Sequence, residues 1–265
     1  MNIGRRFLLY WLILVIIGTT FKIVEKNRIL RKEQDDFIIL RECIQRKDDY
    51  SELSIKPVVE RTEANQEKYE SDIGEILPEY RKLYEENQDL AGWIRIEGTG
   101  IDYPVMQTLN DREYYLHRNF QKEESYSGMP FAGTGNLLES DDDIFIYGHN
   151  MKNRTMFTDL MRYENQEFWK KHSIIVLDTL YEHREYKIFT VFYANEDEWE
   201  KDSGLIYPVI RNMSEKRSEY LERIMQEGLY DTGIETEIGK ALLFLITCSY
   251  QEKNQRFVVL GMQID

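Results

Sequence analysis

At Gly92 the sequence changes to the pattern of strands. WIRIEG (93–98) alternates apolar and polar residues as a half-buried strand does, and IDYPVMQ (101–107), DIFIYGHN (143–150), SIIVLDT (173–179) and part of REYKIFTVFYANE (184–196) read as further strands. ALLFLITC (241–248) and RFVVLGMQI (256–264) are more strongly apolar, as strands covered on both faces are. Only two stretches in this region have helical spacing. LPEYRKLYEENQDL (77–90) sets Tyr80, Leu83, Tyr84 and Leu90 on one stripe, with Pro78 suited to a first turn. MSEKRSEYLERIMQEG (213–228) is amphipathic and ends at Gly228. Many short strands, few helices and short turns predict a mostly β fold, a closed or nearly closed barrel with added helices.

Composition limits what such a barrel can do. The chain has 265 residues, 42% of them hydrophobic and 13% aromatic, enough for a sizeable core. It carries 34 Lys and Arg against 48 Asp and Glu, a formal charge of −14. That balance argues against nucleic acid as a partner, because phosphate binding needs clustered basic side chains. Two Cys cannot build a disulfide framework. No CxxC, HxxxH or HExxH spacing, phosphate loop or GxGxxG occurs, so no metal or organic cofactor is expected. Asp141, Asp142 and Asp143 suit a solvated turn better than a calcium site.

The apolar residues are unevenly spread. Phe7 to Phe21 is an uncharged run of fifteen, FLLYWLILVIIGTTF, preceded by Arg5 and Arg6. If Lys22 snorkels, the run extends over 7–24, roughly 27 Å of helix at 1.5 Å per residue, just enough for a bilayer core. No small-x-small cleavage site follows, so an uncleaved membrane anchor is expected over 7–24 behind a cytoplasmic tail, 1–6. Residues 25–80 read as a charged helical linker. The basic residues Lys22, Lys26, Arg28, Arg31 and Lys32 after the run outnumber those before it, which conflicts with an outward-facing domain.

Three residues stand where chemistry is accessible. Cys248 ends one strand, and Arg256 begins the next, eight residues on. If these strands pair antiparallel, both residues share one rim, and the guanidinium can favour a thiolate or developing negative charge. His149 ends the apolar strand DIFIY, with Gly148 beside it. Histidine exchanges a proton near neutrality, and a Cys–His pair suffices for acyl transfer through a thioester. On spacing alone a structural role for each stays open. His117 reads as structural or groove-lining, His172 and His183 as exposed, and Cys43 as an inert thiol.

At these residues the chain resembles the sortases, cysteine transpeptidases of Gram-positive envelopes. Leu245-Ile246-Thr247-Cys248 is similar to their TLxTC motif, with Phe244 at the first Thr. His149 and Arg256 match the family's His and Arg in the order His, Cys, Arg. Within the family it resembles class B through LYEENQDLAGWIRIEGTGIDYPVMQ (83–107), YYLHRNF (114–120), YGHNM (147–151), MFTDLMRY (156–163) and the helix at 213–228. One departure stands in SGMPFAGTG (127–135), where Gly133 occupies a position often held by Asp. That change is expected to alter a local turn.

The resemblance implies a sortase-like closed barrel of about eight strands over 81–265, with Cys248 as nucleophile, His149 as proton carrier and Arg256 at the oxyanion. It implies substrate contacts at Leu116, Ser203, Tyr207, Thr247 and Ser249. The partners implied are a Thr-containing sorting-signal peptide and an amine of peptidoglycan or its lipid-linked precursor. Those amines lie outside the cytoplasm, so a membrane-attached, outward-facing domain is implied. A binding module without catalysis and a plain cysteine endopeptidase are the alternatives.

Overall fold

A computed structural model describes residues 3–45, 75–108, 110–134, 143–195 and 214–264. The chain divides into two units, Met1–Ile39 and Leu40–Asp265. Helix α1 (Ile3–Gln45) makes up the described part of the first unit and runs unbroken into the second. Its first half leaves large apolar side chains uncovered, among them Trp11 at 64% and Leu14 at 67% exposure. Even so, among the described residues no helix is long and apolar enough to cross a membrane. The expected span over 7–24 begins among side chains outside the described ones, at 7 and 9, and stays an expectation. A helix forms there, charge enters it at Lys22, Glu25 and Lys26, and it continues without a break to Gln45.

The second unit is the barrel. Its helices are α2 (Pro78–Glu86), α3 (Gln166–Lys171) and α4 (Ser214–Gln226). Its strands are β1 (Leu90–Arg95), β2 (Asp102–Met106), β3 (Phe131–Thr134), β4 (Ile144–Tyr147), β5 (Ile174–Thr179), β6 (His183–Asn195), β7 (Leu242–Cys248) and β8 (Gln255–Ile264). They close in the order β1-β2-β3-β4-β7-β8-β6-β5, with β5 returning to β1. The predicted class holds. β3 is the strand the periodicity missed, because FAGT is four residues long and follows Gly and Pro.

Closure brings distant sequence together. β4 pairs with β7 in parallel, Tyr147 beside Ile246, and β7 pairs with β8 antiparallel, Cys248 beside Arg256. Side chains alternate across a strand, so Phe145 and Tyr147 share a face with Phe244 and Ile246, and with Val258 and Leu260. α4 covers that face with Tyr220, Leu221 and Ile224, which join Phe145, Phe244, Ile246, Val258 and Leu260 in one buried cluster.

α4 is also tied down by charge. Arg217, fully buried, donates to both carboxylate oxygens of Asp143 and to the Lys240 carbonyl at 3.1 Å. Asp143 Oδ1 also accepts from the Leu242 amide at 2.9 Å. One ion pair thus joins α4 to the starts of both β4 and β7. This corrects the expected solvated turn at Asp143. Asp141 and Asp142 lie outside the described residues.

Candidate active site

Strand parity places three side chains on one face. Counting by twos along β4 from Phe145 and Tyr147 reaches His149. Counting along β7 from Phe244 and Ile246 reaches Cys248, whose register partner is Arg256. Directly opposed residues of antiparallel strands hold their Cβ atoms about 5 Å apart. All three residues line one open groove of about 320 Å³ at the strand ends.

The backbone around His149 is held on several sides. Gly148 N donates to Ile246 O at 3.1 Å, and Thr247 Oγ1 donates to Gly148 O at 2.7 Å. Phe157 N donates to His149 O at 2.9 Å. Asn150 is buried, and its Nδ2 donates to Cys248 O at 2.8 Å while Tyr250 Oη donates to Asn150 O at 2.8 Å. The histidine loop and the cysteine strand end are therefore laced together through Asn150.

The His149 ring is fixed from the other wall. Its Nε2 lies 2.9 Å from Leu116 O, in the 3₁₀ helix Tyr114–His117. A carbonyl only accepts, so Nε2 carries the hydrogen and Nδ1 is the nitrogen that gains or loses a proton. Burial holds the imidazole below its ordinary value of 6.5. The Leu116 carbonyl opposes that shift, and His117, stacked on the ring, adds to it. A thiol, an imidazole neutral near pH 7 and a guanidinium thus face one groove. These are the parts of nucleophilic acyl transfer: a nucleophile, a proton carrier and a cation for an oxyanion.

The expected substrate contacts divide. Leu116 lines the groove and supplies the carbonyl that holds His149. Thr247 reaches the groove, but it is 2% exposed and its hydroxyl is committed to Gly148. Ser249 is buried, and its hydroxyl donates to Gln255 Oε1 at 2.7 Å, away from the groove-lining set. Ser203 and Tyr207 lie outside the described residues. Among the described residues no group of His, Cys, Asp and Glu is arranged to hold a metal ion.

Other groove residues went unread in the sequence. Tyr147 stands two positions before His149, and period-two counting could have found it. Asn150 is the neighbour of His149 in YGHN. Arg112 and Glu113 also line the groove, but from an exposed segment with no pattern to mark them. Gly133 belongs to the groove wall in β3, a correction to the expected turn. A Cβ built there would lie 2.4 Å from the Tyr147 ring, which itself stacks on Phe131 with centroids 5.6 Å apart. Any side chain at 133 would push on Tyr147, so Gly133 leaves the space that this aromatic wall fills.

A family model described as the sortase domain matches residues 94–264. The chain is 30% identical over 191 residues to sortase B of Listeria monocytogenes, covering 71% of this chain and 75% of that protein. It is 28% identical over 192 residues to sortase B of Staphylococcus aureus, covering 70% and 75%. Among solved structures, Clostridium perfringens sortase B superposes with a TM-score of 0.63 at 35% identity, covering 69% of this chain and 98% of that one. A Staphylococcus aureus sortase B–substrate complex superposes with a TM-score of 0.70 at 22% identity, covering 89% and 97%, a likeness of fold.

Proposed function

The chain belongs to the sortase family of cysteine transpeptidases, in its class B, and on that premise we propose that Cys248 cleaves a sorting-signal peptide after Thr and passes the acyl group to an amine. His149 Nδ1 takes the thiol proton, and Cys248 Sγ attacks the Thr carbonyl carbon. The oxyanion that forms faces Arg256. Collapse breaks the C–N bond, His149 returns the proton to the leaving amine, and a thioester remains. The incoming amine attacks that thioester, its surplus proton passes through His149, and Cys248 leaves as the thiol. One peptide bond is broken and one amide is formed. No external cofactor enters the balance.

The observation that supports this reading most is the Cys248–Arg256 register pair, with His149 on the same face and in the same groove. A neutral resting His149 fits the first step, because it can accept the thiol proton. The related Staphylococcus aureus enzyme is known in complex with a substrate. Here the peptide would enter between the Leu116 wall and the Tyr147–Phe131 wall. The acceptor would be an amine of peptidoglycan or its lipid-linked precursor.

The test is a library of Thr-containing peptides incubated with the protein and an acceptor amine, with products read by mass spectrometry. A covalent Cys248 adduct and an amine-dependent ligation product are expected, and both should vanish in Cys248→Ala. Failure of the intact protein to form an adduct with any such peptide would defeat the reading. Hydrolysis unaffected by the amine would make the protein an endopeptidase instead.

Because acceptor amines of this kind lie outside the cytoplasm, the same reading puts the barrel on the outer side of the cell membrane. The uncovered apolar half of α1 supports attachment there, since exposed apolar surface of that extent calls for an apolar neighbour. Deleting residues 1–24 should move the protein from the membrane fraction to the soluble fraction. An intact chain already in the soluble fraction would refute the attachment.

A further inference from the structure

We propose that His117 is a positioning residue for His149: it stacks on the ring, fixes its orientation in the groove and sets a second imidazole beside it. This rests on the transpeptidase reading and deepens it. The two imidazoles lie 5.5 Å apart between centroids, with planes 27° apart. Consecutive residues of one short 3₁₀ helix therefore grip His149 twice: Leu116 through its carbonyl and His117 through its ring.

That helix is itself anchored. Ser125 N donates to His117 O at 2.9 Å, and Met129 N donates to Tyr115 O at 2.9 Å. His117 is exposed, so it is not needed to fill the core. Its side chain is free to change without loss of the barrel, while its neighbour is the candidate proton carrier.

A positive charge at His117, this close, disfavours a proton on His149. Among the described residues the other titratable or charged groups lining the groove are Arg112 and Glu113 ahead of the 3₁₀ helix, Tyr147 on β4, Cys248 on β7 and Arg256 on β8. His117 acts on His149 in the same direction as burial. A His149 that holds its proton weakly is a stronger acid once protonated. It then gives the proton more readily to the departing amine, which is the demand of the acylation step.

His117→Gln and His117→Phe separate the two effects. Phe keeps a ring on His149 and removes the charge, while Gln removes both. The His149 Cε1–H resonance is titrated by NMR in the intact protein and in both variants, and kcat/KM for peptide and amine is followed against pH. Both variants should raise the His149 midpoint, and the acid limb of kcat/KM should move up with it. At the pH optimum His117→Phe should stay within about threefold of the parent, and His117→Gln should fall further, by about tenfold. An unchanged His149 midpoint in both variants overturns the charge part. Equal rate losses in the two variants overturn the stacking part. The NMR titration needs no substrate, so it judges the His117–His149 coupling even if no peptide is cleaved.

Discussion

Gly128 shows how one residue can govern His149 without touching it. Its φ is +56°, a region that side-chain-bearing residues adopt at a cost of about 1 kcal/mol or more. A Cβ there would lie 2.3 Å from Leu116 O and 2.8 Å from Leu116 C. Leu116 O is the acceptor that fixes the His149 tautomer, so a methyl at 128 pushes on the atom that orients the ring. Gly128→Ala should leave the barrel folded, lowering the unfolding midpoint by only a few degrees. Transpeptidation should fall by about tenfold to a hundredfold, since small misplacements of a proton carrier are costly. Rate and thermal melt measured on the same preparation check this. A variant that melts lower but turns over normally would show that Leu116 yields without disturbing His149.

Between residues and fold stand β4 and β7, whose far ends carry His149 and Cys248. Their starts are clamped to α4 by Arg217 and Asp143, the latter with a side chain only 8% exposed. Removing one partner of such a pair strands a buried charge, at about 3–5 kcal/mol, while replacing both with apolar groups is often nearly neutral. Arg217→Met alone should therefore destabilise the barrel by about that amount in denaturant unfolding, and Arg217→Met with Asp143→Leu should recover much of it. A double variant no more stable than the single one would mean the helix depends on the charges themselves. The same elements show what the sequence made legible. Apolar strand runs mark β4, β7 and β8 directly, and helical spacing places 213–228 within two residues of the observed 214–226 at each end. The partner of Asp143 was hidden, because Arg217 lies on a charged helix more than seventy positions away and nothing local pairs them. The Cys248–Arg256 pairing followed from a hairpin rule. The meeting of β4 with β7 depends on a parallel pairing nearly a hundred positions apart, which periodicity does not encode, so the sequence marked His149 as a strand-end candidate without showing that it meets Cys248.

For the molecule as a whole, burying the site links its chemistry to its stability. Packing the barrel around His149 lowers that imidazole's affinity for a proton, with burial as the main cause, whereas the unfolded chain keeps an ordinary imidazole near 6.5. Between the depressed folded value and 6.5 the unfolded state therefore binds more protons than the folded state. Stability rises with pH wherever that holds. The penalty is absent above the unfolded value and grows as pH falls below it. Acidification through that window should weaken the intact protein by more than it weakens His149→Asn, which keeps a polar side chain in the site but cannot take the proton. Denaturant unfolding of both proteins at pH 7.5 and at pH 5.0 measures the difference, and the carboxylates, common to both, cancel in the comparison. Equal losses in the two proteins would mean that the fold opens locally to solvate His149 before it unfolds. The groove would then be the least stable part of the barrel, and the low proton affinity on which the mechanism draws would belong to a closed state that acid readily disperses.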